Sequence, residues 1–251
     1  MPLRFTLLVL SISAATAFAA LGRVVSSFPA PAPAPAALAR STDHLYVFCS
    51  TPVYIYKVDP ANGSVLASYP APFGIYTKGL DYRYGGYLWL GSYDVDYVYQ
   101  CGEASGSVYA SWPLRYNLDG GLACEGDQSQ PGFPRAVLFS SHYPRAVWRQ
   151  NLAGSLLSTF ATAERLAGLA WDYHNEFLWG CEDGTEDRVV GYGLGGALAA
   201  SFRAPAAPAG LAYLGEYLWI SGGNDFIWQV ECPGDVALEP ASVGKVKALF
   251  Y

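Results

Sequence analysis

Acidic and amide side chains recur at one position of a repeated pattern, directly after a short apolar strand. With one histidine, these candidates for a binding face are Asp94, Asp96, His142, Glu182, Asp183, Asp187, Asn224 and Asp225. Three interpretations are open. The side chains are solvated turn residues, they supply oxygen ligands to a hard cation such as Ca²⁺, or two carboxylates converge for acid/base catalysis. The segment 183–187 (DGTED) resembles part of a calcium loop but lacks the full ligand pattern.

Other catalytic and metal chemistries find no support in the residue spacing. His44, His142 and His174 are scattered, and His174 is expected on the opposite face from His142. A Ser-His-Asp triad or a histidine metal site needs its members on one face. No CxxC pair occurs, and the glycine-rich segment 191–196 lacks the helix and the Lys-Ser/Thr pair of a phosphate loop. Catalytic residues therefore remain unknown, and no cofactor beyond Ca²⁺ is indicated.

Five cysteines in an exported chain leave at least one thiol without an intramolecular partner. Cys101 follows a third strand and Cys124 ends a first strand of the next repeat. Both strands run the same way in a meander, so we expect both residues near one rim and predict a Cys101–Cys124 disulfide. Cys49 and Cys181 lie in second strands and are typical of small buried residues.

The elements that position these residues form a repeat of about 42 residues. Gly168 to Phe202 shows one complete unit, with strands predicted at 168–171, 177–181, 188–192 and 197–202. A marker leucine recurs at spacings of 42, 42, 47 and 42: Leu38, Leu80, Leu122, Leu169 and Leu211. The long interval contains an insertion at 125–134. Four short strands at this period predict an all-β fold, a β-propeller with four-stranded antiparallel blades.

The two ends of the repeat region predict how the ring closes. Residues 22–31 (GRVVSSFPAP) copy the fourth strand of a repeat, as a comparison with 63–72 (GSVLASYPAP) shows. The last repeat lacks that strand. We therefore predict five blades, with the N-terminal strand at 22–28 completing the last one, which removes an open edge from the ring.

The regions outside the repeats predict export and a terminal strand. Residues 1–19 have the basic, apolar and small-x-small parts of a signal peptide, and an uncleaved anchor is the alternative. The propeller domain is expected at 20–235. The tail at 236–251 looks strand-like, and it either packs on a blade or engages a partner. The expected location is secreted, extracellular or periplasmic, with no membrane span after cleavage.

The charge of the chain excludes one class of partner. The formal net charge is −6 and the sequence pI is about 5.0, so non-specific nucleic-acid binding is not expected.

Three blocks carry a family resemblance: 168–180 (GLAWDYHNEFLWG), 210–230 (GLAYLGEYLWISGGNDFIWQV) and 54–70 (YIYKVDPANGSVLASYP). They resemble secreted bacterial propeller repeats of the broad YVTN, YWTD and NHL kind. The resemblance implies the fold and no single activity, because these propellers include binding modules and enzymes.

Three functional hypotheses follow. The first is a secreted non-enzymatic module that binds a protein or glycan ligand at one propeller face. The second is an extracellular hydrolase, lyase or glutaminyl-cyclase-like enzyme acting at one end of the axial channel. The third is a structural subunit that engages neighbours through the tail.

Overall fold

The structure, a computed structural model, describes residues 21–74, 77–126, 134–184 and 186–232. The predicted leader and tail, most of the insertion, and the middle of the 183–187 segment lie outside these ranges. Twenty short strands form five four-stranded antiparallel sheets, so the predicted five-bladed propeller is confirmed. Within these ranges, no helix has the length and apolarity to cross a membrane.

Each blade is a meander of four strands in chain order, apart from the last. Blade one contains β2 (Pro35–Arg40), β3 (Leu45–Ser50), β4 (Val53–Val58) and β5 (Val65–Pro70). Blade two contains β6 (Thr77–Arg83), β7 (Tyr87–Ser92), β8 (Tyr97–Gly102) and β9 (Val108–Pro113). Blade three contains β10 (Leu122–Glu125), β11 (Ala136–Ser141), β12 (Ala146–Gln150) and β13 (Leu156–Ala161). Blade four contains β14 (Leu166–Asp172), β15 (Phe177–Glu182), β16 (Arg188–Gly193) and β17 (Leu198–Arg203). Blade five contains β18 (Pro208–Leu214), β19 (Tyr217–Gly222), β20 (Phe226–Glu231) and β1 (Val24–Pro29).

The N-terminal strand closes the ring, as the sequence predicted. β1 pairs antiparallel with β20 on the outside of blade five. The Gly22 N–H donates to the Glu231 carbonyl at 2.8 Å, and the Arg23 Nε–H donates to Glu231 Oε2 at 2.8 Å. Phe28 is buried, and its ring centroid lies 6.1 Å from that of Trp219. Both backbone pairing and core packing therefore hold the two ends of the described propeller together.

The hydrophobic core consists of five clusters, and each cluster lies between two neighbouring blades. This arrangement follows from the alternation of side chains along a strand, because each blade turns one set of apolar residues to each neighbour. The marker glycines allow the inner strands to meet. A Cβ on Gly79 would lie 2.3 Å from the Leu122 nitrogen, and a Cβ on Gly121 would lie 2.3 Å from the Leu169 nitrogen. Glycine at these positions is thus a packing requirement.

The inner strands pack so closely that the propeller axis is filled. The space between them, lined by Leu38, Leu80, Leu169 and Leu211 with their neighbouring small residues, has no room for a water molecule. At this level of the axis, the described residues leave no open channel.

The meander defines two rims. We call the first the crossing rim, because it carries the loops from second to third strands and the crossings between blades. The opposite hairpin rim carries the loops from first to second and from third to fourth strands. All eight residues of the predicted binding face belong to crossing-rim loops or to the strand ends beside them, in blades two to five.

All five cysteines are buried free thiols in this structure. Cys101 lies in the core cluster between blades one and two, together with Tyr99. Cys124 lies in the cluster between blades two and three, together with Val98. The two residues therefore lie on opposite sides of blade two, and the predicted pairing is not formed here.

Candidate binding groove between blades one and two

Three aspartates of the predicted binding face have a structural role in their turns. Asp96, Asp187 and Asp225 adopt positive φ angles of 51°, 50° and 59°, a conformation that aspartate tolerates better than most residues. Each carbonyl accepts the N–H of the residue that follows the outer strand of its blade, from Leu114, Ala204 and Ala30 at 2.7, 2.6 and 2.8 Å. Turn chemistry therefore accounts for an aspartate at this position of three blades.

Two carboxylates on the crossing rim accept hydrogen bonds from the crossings beside their loops. Asp96 Oδ1 accepts the N–H of Leu118 at 3.2 Å, and Asp225 Oδ1 accepts the N–H of Ala34 at 2.8 Å. These bonds tie each loop to the crossing beside it. The side chains thus stabilise backbone geometry at separate points of the rim.

The remaining members of the predicted face are divided between buried and exposed positions. Glu182 is buried and lies 3.8 Å from Arg188 Nε, and burial raises the pKa of its carboxyl. The His142 N–H donates to Asp119 Oδ1 at 2.5 Å. Asp94, Asp183 and Asn224 are exposed. Among the described residues, no three His, Cys, Asp or Glu side chains are grouped to hold a metal ion, so the calcium hypothesis gains no support there.

The hairpin rim carries a groove of about 460 Å³ between blades one and two. This volume falls in the usual range for small-molecule sites. The loop after β2 forms one wall, and the loop after β6 with the residue after β8 forms the other. The lining residues are Ser41, Thr42, Asp43, His44, Tyr82, Tyr84, Gly85, Gly86 and Glu103.

Glu103 is held from both blades. The Tyr46 hydroxyl of blade one donates to Glu103 Oε2 at 2.5 Å, and the Lys57 Nζ of the same blade donates to Oε1 at 3.3 Å. The Glu103 N–H donates to the Gly86 carbonyl at 3.0 Å. The side chain of this glutamate, 26% exposed, therefore has a fixed orientation at the wall of the groove.

The surroundings of Glu103 favour its ionised form. Burial acts to raise the pKa of its carboxyl, but the hydrogen bonds from Tyr46 and Lys57 and the charge of Lys57 bring it below its usual value. Burial and the bond to Glu103 raise the pKa of the Tyr46 phenol well above its ordinary value. The proton therefore stays on Tyr46, and Glu103 presents a negative charge.

Tyrosine rings form the apolar part of the groove. The rings of Tyr46 and Tyr82 are stacked, with centroids 5.7 Å apart and planes inclined by 6°. Lys57 Nζ lies 5.7 Å from the Tyr46 centroid. Tyr84 belongs to the turn between β6 and β7, and it is 53% exposed. A half-exposed aromatic ring at the tip of a turn offers apolar surface to a ligand.

Sequence reasoning did not identify this groove. Its walls come from loops of two repeats, and Tyr46 and Glu103 are 57 positions apart. One local signal was present in the segment 82–86 (YRYGG), where a tyrosine and two glycines replace the ordinary polar turn. Gly85 and Gly86 have φ angles of 98° and 81°, so the turn requires them.

Comparisons with known proteins identify the fold and no family. No family model matches the chain, and no curated protein matches its sequence. Among solved structures, the glutaminyl cyclase of Myxococcus xanthus is similar, with a TM-score of 0.65 and 11% identity over 83% of this chain and 95% of that one.

Two further solved structures are similar in fold. The β-propeller domain of Myceliophteria thermophila Cps50 (Swd1) has a TM-score of 0.53 and 10% identity, covering 83% of this chain and 99% of that one. A streptogramin B lyase has a TM-score of 0.50 and 13% identity, covering 82% and 86%. At such identities the likeness concerns the fold alone.

Proposed function

We propose that this protein is a secreted, non-enzymatic module that binds a protein or glycan ligand in the groove between blades one and two. The observation that carries the proposal is the fixed Glu103 at the wall of a 460 Å³ groove that also exposes Tyr84. A few oriented polar groups beside aromatic surface are typical of binding sites.

The protonation states and positions of the groove residues favour binding over turnover. In the groove, Glu103 is the carboxylate with fixed partners, and Asp43 is exposed on the opposite wall. The buried phenol of Tyr46 keeps its proton, so it does not supply a base near neutral pH. The oriented carboxylate and the exposed aromatic surface of the groove are sufficient for ligand recognition.

Export is the second part of the proposal. The leader at 1–19 directs the chain out of the cytoplasm, and cleavage after Ala19 leaves the mature chain just short of the closing strand β1. The N-terminal sequence of the protein recovered from the medium or periplasm tests this. We expect it to begin at residue 20. An intact leader would overturn the predicted cleavage, and recovery of the protein in the cytoplasmic fraction alone would overturn export.

The binding model is tested by probing the full chain against an immobilised panel of glycans and peptides, with and without Ca²⁺. We expect ligands whose signal falls at least about tenfold, or about 1.4 kcal/mol, in Tyr84→Ala. Tyr93→Ala is the matched control, since Tyr93 is a similarly exposed tyrosine on the crossing rim (48%). Binding that depends on Tyr93 and not on Tyr84 would contradict the proposed site.

An enzymatic role is tested on the same preparation. The solved neighbours include a glutaminyl cyclase and a streptogramin B lyase, so an N-terminal glutaminyl peptide and a streptogramin B are the substrates to try. We expect no turnover of either one. Turnover abolished by Glu103→Gln would replace the binding model by a catalytic one at the same groove.

A further inference from the structure

The charged side chains that line the groove are acidic. Asp43 and Glu103 line the groove, and Asp43 is exposed. Among the described residues that form the lining, none is a lysine or an arginine. A group entering the groove therefore meets negative charge first.

Two cations of blade one, Lys57 and Arg40, are buried for the most part and already have partners. Lys57, whose side chain is 19% exposed, binds Glu103 and lies over the Tyr46 ring. Arg40 is 8% exposed, and its Nη1 donates to the carbonyls of Ser41 and His44. Burial lowers the pKa of the Arg40 guanidinium to about 10. Neither cation is placed to meet an anionic ligand.

The aromatic lining also favours a positively charged ligand. Tyr82 and Tyr84 both contribute to the groove surface. The negative face of an aromatic ring attracts ammonium and guanidinium groups, and the attraction increases where water is excluded. Carboxylates and tyrosine rings together are suited to recognise a cation.

We infer that the ligand enters this groove with an alkylammonium group, as carried by a lysine side chain of a protein ligand. The inference rests on the proposed function and selects the protein class over the neutral glycan. Glu103 already has the charge of Lys57 beside it, but a neutral ligand would cover the exposed Asp43 without supplying a compensating charge, and uncompensated burial of a carboxylate is costly. An ammonium group supplies that charge and donates three hydrogen bonds.

The test compares two lysine probes with the same stem, one with a charged ammonium group and one with a neutral acetamide in its place. Nα-acetyl-lysine amide carries the ammonium group, and its Nε-acetylated form has the same stem without the charge. Each is titrated into the full chain near pH 8, where an ordinary histidine is neutral, and backbone NMR shifts are followed at 41–44 and 82–86. Spermidine and a neutral disaccharide are titrated in parallel.

We expect the lysine probe to shift these resonances and the acetylated probe to bind at least about fivefold more weakly. Asp43→Asn and Glu103→Gln should each weaken the lysine probe, and Asp94→Asn, an exposed acid of the crossing rim, should not. Asp43 is exposed, so its variant keeps the test valid if Glu103→Gln does not fold. Binding of spermidine at the same residues, tighter than the lysine probe, would assign the site to a free polyamine and overturn the protein ligand.

The remaining outcomes separate this inference from the proposed function. Equal binding of the two lysine probes, or binding of the disaccharide alone with dependence on Tyr84, would overturn the inference of a cationic ligand and leave the groove as a binding site. The absence of any shift at the groove with any probe would also overturn the cationic ligand. Shifts at the crossing rim for ligands from the panel would overturn the groove itself.

Discussion

The hydroxyl of Tyr46 in blade one lies 2.5 Å from Oε2 of Glu103 in blade two. Tyr46 is fully buried, so a rigid phenol of one blade fixes a partly exposed carboxylate of the next. The contact joins two repeats at the point where the hairpin rim opens into a groove. Any relative shift of the two blades would therefore change the position of the Glu103 carboxylate in the groove.

Replacing Tyr46 by phenylalanine should affect both stability and charge. The variant removes the donor to Glu103 and leaves the ring packing, so we expect a loss of about 1–2 kcal/mol in the free energy of unfolding. The pKa of Glu103 should rise, because one of the bonds that lowers it is gone. Chemical denaturation and NMR titration of labelled glutamate measure the two effects. Tyr109→Phe, at a position 65% exposed, is the control, and equal stability of the two variants would contradict the contact.

Gly79→Ala should destabilise the ring by more than about 3 kcal/mol. Gly79 has a φ of +72°, and an added Cβ would lie 2.3 Å from the backbone nitrogen of Leu122. Rigid backbone blocks the methyl group, and the conformation itself is strained for alanine. Gly184→Ala, where the added methyl meets nothing within 4 Å, should stay within about 0.5 kcal/mol of the parent. Thermal unfolding of both variants measures this, and similar midpoints would show that the inner strands are not in contact.

The free energy of unfolding should fall as the pH rises, because of the buried carboxyl of Asp81. Burial raises the pKa of its carboxyl to about 6, although the N–H groups of Cys124 and Tyr82 and the charge of Arg83 act to lower it. Because the pKa in the folded state exceeds that in the unfolded state, the contribution of Asp81 to the free energy of unfolding is fully present below about pH 4. It is lost as the pH rises through 6.

Comparison with Asp81→Asn isolates this effect from the other carboxyls. Between about pH 4 and 7, the free energy of unfolding of the parent should fall relative to that of the variant by on the order of 3 kcal/mol. Glu103 has a lowered pKa and acts in the opposite direction in both proteins. Parallel pH profiles for the parent and the variant would contradict a raised pKa at Asp81.

The thiol content decides between the structure and the disulfide prediction. The structure contains five free cysteines, and burial raises the pKa of Cys49, Cys101 and Cys181 to about 12. We expect slow alkylation of the folded protein and five alkylated sites after unfolding without reductant. Mass spectrometry counts the sites. Three sites, with Cys101 and Cys124 joined in one peptide pair, would establish the disulfide instead.

The repeat made the fold predictable, because each blade must pack the same faces at the same spacing. The strands predicted around Gly168 and Phe202 agree with β14 to β17 within two residues at each end. The closing strand was predictable too, since residues 22–28 copy an outer strand that blade five lacks. These inferences need only the comparison of one repeat with another.

The candidate site was not predictable in the same way. The groove depends on contacts between repeats, such as Tyr46 with Glu103, which no period in the sequence reveals. Likewise, the proposed pairing of Cys101 and Cys124 considered the rim and not the direction of the side chains, which places them in clusters on opposite sides of blade two. The acids of the crossing rim had a local explanation in turn conformation, as Asp96 and Asp225 show.

The most direct test of the account is hydrogen–deuterium exchange of the full chain with and without a ligand selected from the panel. We predict slower exchange at 41–44 and 82–86, the two loops of the groove, and unchanged exchange at 93–96 and 142–145 on the crossing rim. Protection confined to the crossing-rim loops would contradict the groove as the binding site and restore the acidic loop residues as the functional face.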